Sequence, residues 1–170
     1  MTKTNVYKGK TFKFGDDIST DHIAPGRLFH LRTNLPELAK HVLEDADPNF
    51  SKEVQKGDFV VAGNNFGLGS SREHAPTIIK MAGVSAVLAK SFARIFYRNA
   101  INVGLPVLIC DTDKIDKNDL LEVDLSSGVI KNLTKNTELK FAPLPDAMIK
   151  ILNDGGLVQH IEKHKGFNLE

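Results

Sequence analysis

The residues with the clearest chemical potential lie in the segment 63–75, which reads GNNFGLGSSREHA. Its three glycines let the backbone turn tightly and approach a ligand closely. Ser70, Ser71 and Arg72 follow them, just before a helical pattern at 75–81. Because the start of a helix offers unpaired N–H groups and the positive end of the helix dipole, the segment is predicted to suit an anion.

Common glycine-rich motifs do not fit this segment. A phosphate-binding loop needs a lysine before its last serine, and a dinucleotide fingerprint needs glycine where Arg72 stands. Neither Ser70 nor Ser71 has the flanking glycines of a hydrolase nucleophile elbow. Ser70 and Glu73 do fit a Ser-x-x-Glu capping box, although Pro76 suggests that the cap lies later. A helix cap and a functional role therefore both remain open for Ser70.

The surrounding pattern alternates between strands and helices and ends in several short strands. Strands are predicted at 6–14, 58–62, 84–89, 106–110, 119–125, 128–133 and 137–142. Helices are predicted at 75–81, 92–103, 145–152 and 157–164, and from Leu35, with Leu38, Ala39, Val42 and Leu43 on one face. This order predicts a mixed α/β fold and not a purely doubly wound sheet, as one domain over residues 1–170.

Composition excludes several classes of function. The chain has 170 residues, of which 41% are hydrophobic and 25% charged, and its net charge is +1. These values are typical of a globular domain and give no reason to expect nucleic acid or a membrane as partner. No apolar run reaches the roughly 18 residues that span a bilayer, and residues 1–5 lack a signal-peptide core. We therefore expect a cytoplasmic protein.

Cysteine and histidine usage indicates that this chain holds no metal. Cys110 is the single cysteine and ends an apolar strand pattern, so we expect a small buried hydrophobe and not a cluster ligand. The six histidines, at 22, 30, 41, 74, 160 and 164, are interpreted as lacking HExxH-type metal spacing. A metal cluster used in catalysis would have to lie on another chain.

Three segments together resemble a known family. They are GSSREHA at 69–75, AKSFARIFYRNAINVGLP at 89–106 and DDISTDHI at 16–23. In their order along the chain, these segments resemble the small subunit of 3-isopropylmalate dehydratase, which is the stand-alone form of the aconitase swivel domain. Homoaconitase small subunits are similar. The resemblance implies a three-layer β/β/α swivel-type domain of the aconitase superfamily and a large partner subunit that carries a 4Fe-4S cluster.

The resemblance also implies roles for the residues of the first segment. Ser70 corresponds to the family's catalytic base, acting as an alkoxide that takes the C–H proton during dehydration. Arg72 and Arg32 suit the planar carboxylates of the substrate, since a guanidinium can bind a carboxylate through two hydrogen bonds. Ser71 would help to position a carboxylate, and His74 would support the loop.

Other polar residues have a structural alternative beside the functional one. Asp21 and His22 lie in a turn-like polar segment, which in aconitase relatives lies by the active site, so a supporting role is expected. Lys90, Arg94 and Arg98 are spaced by four and would share a helix face, where solvent or subunit contact is favoured over substrate. By composition Arg32 belongs to a surface loop, whose counterpart in relatives carries a substrate-binding arginine.

The principal hypothesis is therefore half of a hydro-lyase that interconverts 2-isopropylmalate and 3-isopropylmalate in leucine biosynthesis. The alternatives within the class are homoaconitase and a dehydratase of dimethylmalate or methylmalate. An alternative of another class is a regulatory carboxylate-binding module without catalysis. The pairing of Ser70 with Arg72 argues against that module, because binding alone needs the arginine but no base.

Overall fold

The computed structural model describes residues 5–169, and its strands form one seven-stranded sheet in the order β4-β3-β2-β1-β5-β6-β7. The prediction about a signal-peptide core in residues 1–5 falls almost wholly outside the described residues. The strands are β1 Val6–Lys13, β2 Phe59–Val61, β3 Ala86–Ala89, β4 Val107–Ile109, β5 Leu120–Asp124, β6 Val129–Asn132 and β7 Thr137–Lys140.

Strand β1 joins a parallel half of the sheet to an antiparallel half. Its residues 11–13 pair with β2 in parallel, and β3 and β4 continue that half. Its residues 6–10 pair with β5 in antiparallel orientation, followed by β6 and β7. Because each half uses a different stretch of β1, the sheet curls into two β layers.

Helices form the third layer. They are α1 Thr20–Ile23, α2 Leu35–Ala39, α3 Phe50–Glu53, α4 His74–Met81, α5 Arg94–Asn102, α6 Asp146–Asn153 and α7 Leu157–His164, with 3-10 helices at Gly26–Leu31 and Thr112–Lys114. Helix α4 lies at the centre of this layer and contacts α1, α2 and α5, and α5 in turn contacts α6 and α7. No helix of the described residues is long and apolar enough to cross a membrane.

The buried centre of the sheet fixes where the glycine-rich loop begins. Every residue of β2 and β3 is buried, as expected for parallel strands that are covered on both faces. Strand β2 leads directly into the loop at Gly63, where a Cβ atom would overlap the carboxylate of Asp16. At Gly67, φ is +85° and a Cβ would overlap the Phe96 ring. Glycine is therefore required at both positions for the loop to lie against its neighbours.

The predicted elements agree with the structure apart from local differences. The helix that begins at Leu35 already ends at Ala39, and Val42 and Leu43 are buried from the turns that follow. Leu43 has φ of 57°, which is incompatible with a continuing helix. The sequence pattern missed α1, α3 and the two 3-10 helices, each of six residues or fewer.

Candidate active site

The candidate site is built where the glycine-rich loop pairs with the polar segment after β1. The Asp17 N–H donates to the Asn64 carbonyl at 2.9 Å, and the Thr20 N–H donates to the Leu68 carbonyl at 2.8 Å. These bonds place α1 beside the end of the loop. The segments 16–23 and 69–75, which both carry the family resemblance, are then in direct contact through Thr20 and Ser70, although fifty residues separate these two in the chain.

Ser70 has one close polar neighbour, the buried side chain of Thr20. The Ser70 N–H donates to Thr20 Oγ1 at 3.2 Å, and the two hydroxyl oxygens are 3.1 Å apart. Since Thr20 Oγ1 already accepts the Ser70 N–H, its own proton is available to the Ser70 oxygen. Thr20 can therefore donate to a Ser70 alkoxide and stabilise the negative charge.

The predicted capping box between Ser70 and Glu73 is wrong. Helix α4 begins at His74 with Glu73 as its N-cap, and no side chain caps it. Ser70 therefore lies four residues before the helix, and Pro76 at the third helical position removes one N–H donor. The expected support for Ser70 from the helix start is replaced by the contact with Thr20.

Arg72 and Arg32 are brought together by the ring of Phe29, a residue that the sequence analysis did not select. The Arg32 guanidinium lies 4.2 Å from the ring centroid and the Arg72 guanidinium 5.5 Å from it. Both distances are in the range of cation–π contacts. The Arg32 side chain also donates to the Phe29 carbonyl at 3.2 Å. Phe29 is 48% exposed, so the two cations meet at the surface and not inside the core.

Asp21 holds the other side of Arg72. Its carboxylate lies 2.6 Å from Arg72 Nη1, which also donates to the Ala24 carbonyl at 3.4 Å. The Arg72 side chain is 23% exposed and that of Asp21 is 66% exposed. Asp21 thus forms an ion pair with the guanidinium, while solvent screens much of the attraction.

His22 and His74 lie in the two segments that form this arrangement. The Ser19 N–H donates to His22 Nδ1 at 2.9 Å and the His22 N–H donates to Ser19 Oγ at 3.2 Å, which closes a capping box at the start of α1. Burial, and then the charge of Arg72, lowers the pKa of His74, so neutral imidazole predominates near pH 7. His74 therefore adds no positive charge beside Arg72.

The remaining predicted residues lie farther from this arrangement or face solvent. Ser71 is exposed, and its carbonyl accepts from the Asn99 side chain at 3.4 Å. Lys90 precedes α5 and binds Asp113 at 2.7 Å, so the predicted shared helix face of Lys90, Arg94 and Arg98 is wrong. Arg94 and Arg98 lie on α5 and are exposed.

The donor set of this chain does not fit an iron–sulfur cluster. Cys110 is its single cysteine and is buried. Burial, with a smaller contribution from Asp111, raises the pKa of its thiol to about 12. A buried thiol that stays protonated cannot serve as a thiolate ligand, and a cluster needs several of them.

The sequence predicted Ser70, Arg72 and Arg32, and the structure gives each of them a neighbour that the sequence analysis did not select. Thr20 connects to Ser70, and Phe29 connects the two arginines. Thr20 lies within the DDISTDHI segment, so that segment was the available signal for it. Phe29 carried no such signal, because an isolated phenylalanine is ordinarily assigned to a core.

Comparison with known protein families agrees with this geometry. The model of the aconitase C-terminal domain matches residues 20–112, which include Thr20, Phe29, Arg32, Ser70 and Arg72. This match covers more than half of the chain, and the chain belongs to the aconitase family.

Individual relatives narrow the family further. The chain is 68% identical to the 3-isopropylmalate dehydratase small subunit 2 of Archaeoglobus fulgidus, over 92% of this chain and 94% of the relative. It is 63% identical to small subunit 1 of the same enzyme from Thermotoga maritima, over 95% and 98%. It is also 54% identical to the homoaconitase small subunit of Methanothermobacter thermautotrophicus, over 93% and 92%.

A solved structure confirms the fold. The crystal structure of a 3-isopropylmalate dehydratase from Methanocaldococcus jannaschii superposes with a TM-score of 0.90 at 49% identity, covering 94% of this chain and 95% of that one. The predicted β/β/α swivel-type fold and the resemblance to dehydratase small subunits are therefore confirmed. Dehydratases of this family are hydro-lyases, which is the predicted enzyme class.

Proposed function

We propose that this chain is the small subunit of a two-chain hydro-lyase that interconverts 2-isopropylmalate and 3-isopropylmalate. The observation that carries the proposal is the exposed Ser70, whose hydroxyl is hydrogen-bonded to Thr20. Ser70 also lies in the same loop as Arg72. We infer that the enzyme is cytoplasmic and acts in leucine biosynthesis, and that this chain forms one domain over residues 1–170.

Ser70 acts as the base in this proposal. The proton on the carbon beside a carboxylate is weakly acidic, so its removal needs a strong base and stabilisation of the charge that develops. A free serine hydroxyl is a poor base. The Thr20 hydroxyl donates to the Ser70 oxygen as it becomes an alkoxide, and the positive charge of Arg72, two residues along the loop, favours the anion.

Arg72 and Arg32 bind the carboxylates of the substrate. The Phe29 ring contacts both guanidinium groups, and Asp21 pairs with that of Arg72. These contacts restrict the arginine side chains before the substrate binds, so less conformational entropy is lost on binding. Asp21 and the substrate carboxylate compete for Arg72, and the high exposure of Asp21 makes its ion pair the weaker one.

The same exposure argues for a partner subunit. Ser70 and Ser71 lie at the surface, where water would quench an alkoxide and weaken each electrostatic contact. Departure of the hydroxyl group needs a Lewis acid, which an iron of a cluster would provide. This chain has no thiolates that could bind such a cluster. We infer that a large subunit covers the loop and supplies a 4Fe-4S cluster for that step.

Mixing the two subunits tests the proposal. The purified chain alone should be colourless and inactive, and addition of the anaerobic large subunit should create hydratase activity on isopropylmalate. A cluster spectrum or turnover from this chain alone would exclude the two-subunit arrangement. Stable complex formation without turnover of any malate derivative would favour a regulatory carboxylate-binding module.

Homoaconitase is the second candidate, because a homoaconitase small subunit is among the relatives and Arg32 is available for a third carboxylate. An arginine facing the isopropyl group would be desolvated without a partner, at a cost of several kcal/mol. The position of Arg32 relative to the variable arm of the substrate therefore distinguishes the two candidates.

A further inference from the structure

A second group of functional side chains lies outside the candidate active site, at the junction of α6 and α7. Asp154 follows the end of α6, and His160 and His164 lie four residues apart on α7. His160 Nδ1 is 2.7 Å and His164 Nε2 is 2.9 Å from the same carboxylate oxygen, Asp154 Oδ2. The three atoms lie within 4.8 Å of one another.

The buried histidine is oriented as metal-binding histidines are. His160 is fully buried, and its Nε2 donates to the Phe167 carbonyl at 2.8 Å. A carbonyl accepts but cannot donate, so this bond fixes a proton on Nε2 and directs Nδ1 at Asp154. A backbone carbonyl that holds the second ring nitrogen in this way is the usual outer partner of a metal-ligating histidine.

The two oxygens of the Asp154 carboxylate have different partners. Oδ2 faces the two histidines, and Oδ1 lies 2.7 Å from the Lys163 ammonium group. The Asp154 side chain is only 7% exposed, so the carboxylate has little water to replace a lost partner.

The ligand set fits a divalent transition metal. Two imidazole nitrogens and one carboxylate oxygen form a three-ligand set that Zn²⁺ accepts, with water as the fourth ligand. Bonds of about 2.0–2.2 Å to a tetrahedral ion require ligand atoms somewhat farther apart than a hydrogen bond. The ring nitrogens would have to shift from their present hydrogen bonds, and His164 is the more exposed of the two histidines.

We propose that Asp154, His160 and His164 form a binding site for a divalent first-row transition metal, with Zn²⁺ as the best match. The ion joins the end of α6 to α7 and, through the bond from His160 to Phe167, to the segment after α7. The interpretation that the histidines lack HExxH-type spacing is wrong, because His160 and His164 lie four residues apart on α7, although no glutamate follows His160 directly.

Metal titration of the untagged, chelator-treated full chain tests the proposal. Zn²⁺ binding is followed by calorimetry, and Co²⁺ is followed by visible absorption, which reports tetrahedral coordination. His164→Ala is expected to weaken Zn²⁺ binding by at least about a hundredfold, because losing an outer partner alone costs roughly 10- to 100-fold. Asp154→Asn, which keeps the shape of the side chain, is expected to abolish the tetrahedral Co²⁺ spectrum.

His41→Ala is the matched control. The His41 side chain is 35% exposed and that of His164 is 36% exposed, and each is bonded to a carboxylate. The control should bind metal as the unchanged chain does. Absence of Zn²⁺ binding by the chain, equal losses in the two alanine variants, or an unchanged Co²⁺ spectrum in Asp154→Asn would overturn the proposal and leave an ion-pair cluster only.

Discussion

Removing the Thr20 hydroxyl tests whether this residue stabilises the Ser70 alkoxide. Thr20→Val keeps the shape of the buried side chain but cannot donate across the 3.1 Å that separates the two oxygens. A hydrogen bond to a charged group contributes about 1.5–3 kcal/mol. If the bond strengthens as Ser70 loses its proton, its loss lowers kcat by roughly 10- to 150-fold, at about 1.4 kcal/mol per tenfold.

The assay is steady-state kinetics of the assembled enzyme, in which kcat and KM are measured separately. KM should change little, because Thr20 is buried and contacts the proposed base, whereas the arginines are proposed to bind the carboxylates. The exposed Ser70 N–H can bond water instead, so the fold should persist, as circular dichroism would verify. Thr20→Ser retains the hydroxyl and should keep most of the activity. An unchanged kcat in Thr20→Val, or equal losses in both variants, would refute the reasoning.

Three further predictions concern binding and reactivity. Arg32→Val should lower kcat/KM by a similar factor for isopropylmalate, dimethylmalate and homoaconitate, because Arg32 is proposed to bind a carboxylate that all three share. A loss confined to homoaconitate would instead place Arg32 at the variable arm of the substrate and favour homoaconitase. Phe29→Leu removes cation–π contacts worth about 0.5–2 kcal/mol, so KM should rise roughly 2- to 30-fold at nearly constant kcat; an unchanged KM would show that the ring does not hold the arginines. With its pKa raised to about 12, Cys110 should resist iodoacetamide at pH 8 in the native chain and react after unfolding, and rapid native labelling would contradict its burial.

Features that depend on neighbouring residues were predictable from the sequence. The alternating strands, the helices ended by Gly83 and Gly104, and the loop that begins at Gly63 all follow from local pattern and backbone freedom. The capping box at Ser70 is absent because α4 begins only at His74, and Pro76 was the signal in the sequence for this later start. Lys90 was misplaced because a spacing of four does not show where a helix begins.

Contacts between distant segments were not predictable from the sequence. Thr20 and Ser70 are fifty residues apart, and their contact depends on the pairing of the two loops that follow β1 and β2. The meeting of Arg32 and Arg72 on Phe29 depends on a 3-10 helix of six residues, too short to leave a periodic signal. The resemblance to a family named the arginines but not the ring that holds them.

The account depends most directly on Ser70 as the base. The measurement is kcat of the assembled enzyme with Ser70→Ala, compared with Ser71→Ala at the neighbouring exposed serine, in preparations with equal cluster content and equal subunit association. Ser70→Ala is expected to lower kcat by on the order of a thousandfold or more, with a modest change in KM, because the loss of a general base acts mainly in the transition state. Ser71→Ala should be much milder. Near-normal turnover in Ser70→Ala, or a larger loss in Ser71→Ala, would contradict the account.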